Sequence, residues 1–405
     1  MRNAAMIAVL ALLSAIGPLA IDMYLPAFPE MATDLGTSAS SIQLTLTAVL
    51  FGLAFGQLVI GPLSDRTGRR TPLLVGTVAC LAASVLCALA PSVELLIVAR
   101  FLQGFTGAAG VVIARAVIAD RSTGSEAARL FAIMMAISSL APVLAPLLGG
   151  GILTFADWRA VFWLLAAVNA LMFAGVLAFI PESLPPEKRH DGGFTELART
   201  MGSVLRNRVY LGYALTMGFT SMVLFGYISA SPFLVQDIMG FSAGAYALTF
   251  ALISVCIAVA SAASSRLVRR FTPHQVLVAG LACLLTGTTL LLLMVTVGGV
   301  PTWPTIAVLM LTVGSIGLIF GNAVALGIGE VRHVAGTGSA VIGAMQFTFG
   351  ALASPLVGLA GAETAWPMGV TLFTAAVLAA VSLAVLTRRR GQPRAAASSE
   401  PASRG

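Results

Sequence analysis

Twelve apolar runs, each long enough or nearly so to cross a bilayer, alternate along this chain with shorter polar connections. They lie near residues 4–21, 42–60, 73–89, 93–113, 130–153, 160–180, 209–230, 243–263, 276–297, 303–325, 338–359 and 366–386. Runs of this length with so few charges predict membrane-spanning helices, and an even number of them puts both termini on one side. One connection is long. It opens with Pro181-Glu182-Ser183-Leu184-Pro185-Pro186, which breaks helix, and it is rich in charge. The expected organisation is therefore a six-helix bundle over 1–180, a linker over 181–208, a second six-helix bundle over 209–387 and a disordered tail over 388–405. Within the linker, Phe194, Leu197, Met201, Val204 and Leu205 recur at helical spacing, which suits either a short helix on the membrane surface or a flexible tether.

Composition agrees with the pattern: 58% of the 405 residues are hydrophobic and only 10% charged, too apolar for a water-soluble globule. The fold class is thus an all-α membrane protein. A formal charge of +7 would suggest nucleic acid in a soluble protein. Here the cations sit in membrane loops. Of the 23 Lys and Arg, all but Arg100 inside a span and Arg159 in an odd loop fall in the termini or the even-numbered loops. The positive-inside rule makes both termini cytoplasmic. Arg2 and the run after it imitate a secretory signal, but the run continues to Ile21 and the charge pattern requires it as span 1. The cysteines, Cys80, Cys87, Cys256 and Cys283, lie in spans without CxxC spacing and read as small apolar residues.

The most specific polar stretch is Gly61-Pro62-Leu63-Ser64-Asp65-Arg66-Thr67-Gly68-Arg69-Arg70, a charged connection between spans 2 and 3. A faint echo, Ser265-Arg266-Leu267-Val268-Arg269-Arg270-Phe271-Thr272-Pro273, stands at the matching place in the second half without the Asp and the Gly. Likewise Ala145-Pro146-Leu147 in span 5 answers Ser354-Pro355-Leu356 in span 11. Six-span parallel repeats build a midplane site between two rocking bundles. Asp65 lies on the side where span 11 begins, and a helix N-terminus favours a carboxylate, so Asp65 is placed to latch the halves together. Arg66, Arg69 and Arg70 could equally be plain topogenic charges.

Charges within the spans are few. Asp22 ends span 1 and Arg100 lies inside span 4. A charge at mid-membrane costs about 2.5 to 3.5 kcal/mol, so both are expected to line a central cavity. Glu94 reads as interfacial. No His lies in a span, since His190, His274 and His333 fall in loops. If protons drive transport, a carboxylate carries them, and Asp22 is best placed. Burial and a nearby Arg100 would pull its protonation in opposite directions, a balance that substrate could tip. Further cavity candidates are Tyr24, Gln43, Gln57, Gln103, Phe225, Tyr227, Asn322, Gln346 and Phe347, though each polar one could instead bond a neighbouring helix.

Span 5 contains Ala141-Pro142-Val143-Leu144-Ala145-Pro146-Leu147-Leu148-Gly149-Gly150-Gly151. Pro bends a helix and Gly lets backbones approach, which predicts close packing against a neighbour such as span 8. An ordinary packing motif would look the same.

Several of these stretches carry a resemblance. Gly61 to Arg70 resembles the loop between the second and third spans of the major facilitator superfamily, and the span-5 segment resembles the antiporter motif of its drug-exporting branches, built on Pro142, Pro146, Gly149 and Gly150. Asp22 to Ala27, Arg100-Phe101-Leu102-Gln103-Gly104, Asp157-Trp158-Arg159, Pro181 to Pro186, Ser231-Pro232-Phe233 and Ala365-Trp366-Pro367 follow the layout of its bicyclomycin-resistance (Bcr/CflA) subfamily. The resemblance implies two pseudo-symmetric six-helix bundles and proton-coupled export of small amphipathic drugs, amphenicols and bicyclomycin among them, across a bacterial inner membrane. It implies gating by Gly61, Asp65, Arg66, Gly68, Arg69 and Arg70, with Asp65 latching the outward-open state and Arg69 bridging to Asp120. The chain departs from the pattern at Ala119 and Ala145. The partners expected are a small amphipathic substrate, protons and the lipid bilayer, without nucleic acid, metal or cofactor, for a chain acting as a monomer driven by the proton gradient.

Other classes fit less well. An enzyme would need a nucleophile with its base, or metal ligands, and the spans show neither. A passive channel does not call for the asymmetric repeat or the Pro/Gly-rich span 5. Export of a sugar or other small metabolite is the alternative, but it would ask for more polar cavity residues than the spans contain.

Overall fold

The structure is a computed structural model, and it describes residues 2–122, 124–189, 194–297, 299–359, 361 and 364–387. The first half consists of α1 (Arg2–Asp22), the short α2 (Phe28–Asp34), α3 (Ala39–Thr67), α4 (Arg70–Ala88), α5 (Val93–Arg121), α6 (Gly124–Ile152) and α7 (Trp158–Phe179). A linker helix, α8 (Phe194–Arg206), leads to α9 (Arg208–Phe233), α10 (Ala243–Leu267), α11 (Pro273–Thr296), α12 (Thr302–Glu330), α13 (Ala335–Val357) and α14 (Trp366–Leu386). Among the described residues twelve of these stretches are long and apolar enough to span a membrane. Exposed Leu, Val, Phe and Trp side chains such as Phe55, Val75, Leu171, Leu248 and Val259 cover their outward faces, as lipid contact requires.

Local chemistry starts most helices. Ser38, Ser92, Asp157, Asn207 and Ser242 each accept a backbone N–H of the first turn, and Thr272 with Gln275 forms a full capping box before α11. Several helices outrun their apolar cores. At 1.5 Å per residue, the 29 residues of α3 and of α5 span about 43 Å, well beyond a hydrocarbon layer of about 30 Å. The surplus lies at the face carrying Asp65, Arg69, Asp120 and the linker, hereafter the basic face; the opposite one is the far face. This corrects one expectation: Gly61 to Thr67 is helical, Pro62 included, and only Gly68 and Arg69 separate α3 from α4.

Each half has its own tightly packed pair. At the α3/α5 crossing, a methyl at Gly104 would strike the Val49 carbonyl and one at Gly52 the Phe101 carbonyl. The matching crossing of α10 and α12 repeats the device, with Gly317 against Ile257 and Ser261. Backbones this close are the small-residue packing of membrane helices. The halves meet along α3 with α13 and along α6 with α10. In α8, Val204 is buried and Leu205 exposed, and the helix packs on α9 and α13. Of the other linker positions, Met201 packs on the core, while the Phe194 and Leu197 side chains fall outside those described, as do His190 and the tail over 388–405.

Candidate functional site

Between the halves lies a cavity of about 290 Å³. Its walls come from α1, α3, α5 and α6 on one side and α9, α10, α12 and α13 on the other. Phe225, Tyr227, Phe250 and Phe347 give it an aromatic wall on the second-half side: the Phe225 and Phe347 rings sit 6.0 Å apart, and Tyr227 stacks on Phe250 at 5.6 Å. Gln57, Gln346, Ser14, Ser138 and Ser254 add polar points. Among the described lining residues, the acid is Asp22 and the cation Arg115.

A set of cross-half hydrogen bonds seals the far face. Ser40 donates to the Gly358 carbonyl. Gln43 gives its side-chain amide to the Ser229 carbonyl at 3.2 Å and receives the Ser354 hydroxyl on its backbone carbonyl at 2.8 Å. Gln236 donates to the Pro26 carbonyl at 3.1 Å. The span-5 motif completes the seal: Gly149 lies against the Met23 backbone, and a methyl at Gly150 would come within 2.8 Å of Ala247 in α10. Pro142 lines the cavity and Pro146 is buried.

Asp22 stands at this closed end. Its carboxyl is buried, and Oδ1 finds no hydrogen-bond partner among the described residues. The expectation that Arg100 balances it from inside the cavity is corrected. Arg100 is fully buried within the first half, where Nη2 donates to the Ala20 carbonyl at 2.8 Å and Nη1 to the Gln103 side chain. The guanidinium lies 4.0 Å from the Tyr24 ring centroid and 5.6 Å from that of Phe162. Gln103 passes its amide to Ser84 at 2.8 Å, and Tyr24 shares a 3.1 Å hydrogen bond with Thr45. With two aromatic faces and fixed dipoles around it, the cation needs no carboxylate.

Four substrate candidates are thereby displaced from the cavity. Tyr24 and Gln103 serve Arg100, Gln43 belongs to the far-face seal, and Asn322 bonds Ser264 at 2.8 Å inside the second half. Gln57, Phe225, Tyr227, Gln346 and Phe347 line it. The apolar pattern does not point to Arg115, because the apolar run ends two residues before it. The uninterrupted helix-forming Ala114-Arg115-Ala116-Val117-Ile118 was the signal that α5 continues.

At the basic face, Arg69 joins two acids of its own half: Nη1 lies 2.5 Å from Asp65 and Nε 3.0 Å from Asp120. Among the described residues Asp65 pairs there and not with the start of α13. Asp120 also accepts the Ser183 hydroxyl at 3.0 Å. Beside them the Glu182 carboxylate receives four backbone N–H groups, from Arg69 at 2.8 Å, Arg70 at 3.2 Å, Ser183 at 3.0 Å and Leu184 at 2.9 Å. Burial works to raise Glu182, and these donors outweigh it, holding the carboxyl below the usual range. Gly68, at φ +95°, turns the chain under Glu182, where a side chain would collide. Arg66 takes no part in this network and is exposed. Gly61 lies in α3 with its Cα hydrogens toward Val112.

The comparisons agree with this architecture. The model of the Major Facilitator Superfamily matches residues 10–355. An uncharacterized MFS-type transporter YdgK of Bacillus subtilis is 38% identical over 94% of this chain and 95% of its own length. A bicyclomycin resistance protein homolog of Haemophilus influenzae is 32% identical over 94% and 95%, and a chloramphenicol resistance protein of Pseudomonas aeruginosa 32% over 92% and 88%. Among solved structures, the nucleoside transporter NupG superposes with a TM-score of 0.76 at 13% identity, covering 95% of this chain and 99% of that one. A D-xylose-proton symporter gives 0.73 at 15%, covering 94% and 97%. The chain belongs to the Major Facilitator Superfamily, a family of multi-pass membrane transporters and not of enzymes, and within it to the Bcr/CflA-like branch.

Proposed function

We propose that this protein exports small amphipathic drugs, of the kind named in its bicyclomycin- and chloramphenicol-resistance relatives, in exchange for protons across a bacterial inner membrane. The observation that carries the reading is Asp22: a buried carboxyl with an unpartnered oxygen at the closed end of an aromatic-lined cavity between two bundles. A carboxyl so placed can hold a proton or yield it as substrate arrives, and no other acid lines the cavity among the described residues. Its scarcity of polar groups suits an amphiphile better than a sugar.

The cation-rich basic face is cytoplasmic by the positive-inside rule, which puts both termini inside. The far-face hydrogen bonds then make this an inward-open state. In the outward-open state the basic-face ends of α3 and α13 would approach, and Asp65 would exchange part of its pairing with Arg69 for the N-terminus of α13.

The test is a drug-susceptibility panel in an efflux-deficient bacterium expressing the protein. Raised tolerance to chloramphenicol or bicyclomycin, abolished by collapsing the proton gradient, is expected. A profile unchanged for every amphiphile would overturn drug export.

A further inference from the structure

We propose that the cavity prefers aromatic amphiphiles bearing an acidic group, and that Arg115 holds that group. The proposal rests on the reading of this cavity as the transport site. Arg115 lines it with no ion pair or hydrogen bond to any described residue, while Arg69 and Arg159 are each tied to carboxylates. Asp22 is too distant to neutralise it. Packing fixes the register: a methyl at Gly17 would lie 3.8 Å from Val111, and Arg115 is one turn beyond Val111 toward the basic face. Asp22 is five residues beyond Gly17 the other way, so the backbone positions that carry the two charges are offset by about 13 Å along the cavity at 1.5 Å per residue.

Phe225, Phe347, Tyr227 and Phe250 form the apolar wall of the same cavity. An unpaired guanidinium presents a planar fork of donors, which matches a carboxylate or sulfonate with two parallel hydrogen bonds. Arg115 is solvent-exposed within the cavity, so a ligand with an acidic head replaces that solvent with a charge-assisted pair while its aromatic body fills the wall. It also leaves Asp22 free to exchange its proton.

The experiment uses the full chain purified in detergent at neutral pH and compares naphthalene-2-acetate with naphthalene-2-acetamide by titration calorimetry. The two probes differ in charge and share the ring. The wild type should bind the acid at least about tenfold more tightly, the discrimination expected of a charge-assisted hydrogen-bonded pair. Arg115→Gln should bring that ratio close to one, and Arg115→Lys should keep part of it. Equal binding of the two probes, binding of neither, or a ratio unchanged in Arg115→Gln would overturn the proposal. The outcomes stay separable from drug export: a silent susceptibility panel with an intact acid preference removes only the export reading, and a positive panel without the preference removes only this one.

Discussion

The Arg100 guanidinium donates to the Ala20 carbonyl at 2.8 Å, two residues before Asp22. Ala20 carries one of the last carbonyls of α1, which the helix itself leaves without a partner. A buried cation on α5 thus caps α1 and fixes the helix end that carries the candidate proton carrier. Arg100 is a positioning residue, acting on Asp22 through the backbone and not by charge pairing.

Arg100→Ala should destabilise the first half severely. It leaves the Ala20 carbonyl and the Gln103 side chain without their donors, at about 1 to 3 kcal/mol for each buried group, and empties the space beside Tyr24 and Phe162. Arg100→Lys should recover part, since a point charge can reach one acceptor but cannot reproduce the fork and the stack. The midpoint of thermal unfolding in detergent should fall in the order wild type, Lys, Ala. Equal midpoints would remove the positioning role.

Gly104→Ala and Gly317→Ala should both be destabilising, because each added methyl meets the backbone of a neighbouring helix. Overpacking of this kind costs about 1 to 3 kcal/mol or more where backbone must move. Gly321→Ala, with open space around it, is the control and should stay near the wild type. The yield of monodisperse protein after extraction separates the three. Loss confined to one half would show that the two crossings are not equivalent.

Glu182→Gln should loosen the joint between the linker and α4. The carboxylate spreads four N–H bonds over two oxygens, whereas an amide offers one acceptor and turns a donor toward the Arg70 amide. Because the folded carboxyl is held below the usual range, its contribution is present above the ordinary glutamate pKa and is lost as pH falls through the depressed value. The protection of the Arg69 and Arg70 amides, their exchange taken relative to the unprotected rate at the same pH, should fall in the variant, and in the wild type only at acid pH. Exchange at those two amides that the substitution leaves unaltered would exclude the clamp.

Asp65→Asn should change little in the state with the far face closed, where the side chain is half exposed beside Arg69. Its effect is expected in the opposite state, where a carboxylate at a helix N-terminus contributes about 0.3 to 1 kcal/mol. That corresponds to a two- to fivefold fall in the population of that opposite state, by about 1.4 kcal/mol per decade. A cysteine at Ser254 in the cavity reports it: labelling from the basic face should rise. Unchanged labelling together with normal transport would count against the latch.

Much of this architecture was legible because a bilayer imposes one rule on every span, a long apolar run with internally paired backbone. The Gly/Pro punctuation of span 5 and the charged turn before Arg70 are local features, and they were readable for that reason. Helix ends were less so. An apolar window stops where charge begins, but a helix does not, so α5 runs on to Arg121 and delivers Arg115 to the cavity. The partner of Arg100 was also hidden. Sequence suggests Asp22 as the nearest opposite charge, while the fold offers Tyr24, Phe162 and a backbone carbonyl, and cation–π contacts leave no trace in charge counting. Asn322 and Gln43 illustrate the third difficulty, that a polar residue in a span bonds another helix as readily as it faces a ligand.

Asp22→Asn should abolish uphill export yet retain substrate binding, because the amide resembles the protonated acid in shape and charge while being unable to release a proton. One proton moving through about 100 mV supplies about 2.3 kcal/mol, enough for a gradient of roughly fifty-fold in a neutral substrate. A variant that cannot carry it should reach only equal concentrations on the two sides. The direct measurement is chloramphenicol-driven proton release from purified protein, followed across about pH 6 to 9, which brackets the neutral range in which a transported proton is exchanged. The wild type should release protons over part of that range and Asp22→Asn should release none, while both still bind the drug. Among the other first-half acids toward the far face, Glu30 accepts the Trp158 backbone N–H at 3.2 Å, Asp34 is held by Arg159 at 2.6 Å and by the Trp158 indole at 3.0 Å, Asp157 caps α7, and Glu94 is exposed at the start of α5. None of these lines the cavity. Wild-type-like release from Asp22→Asn would therefore rule out a carboxyl of the first-half cavity wall as the carrier and leave coupling to a group outside it.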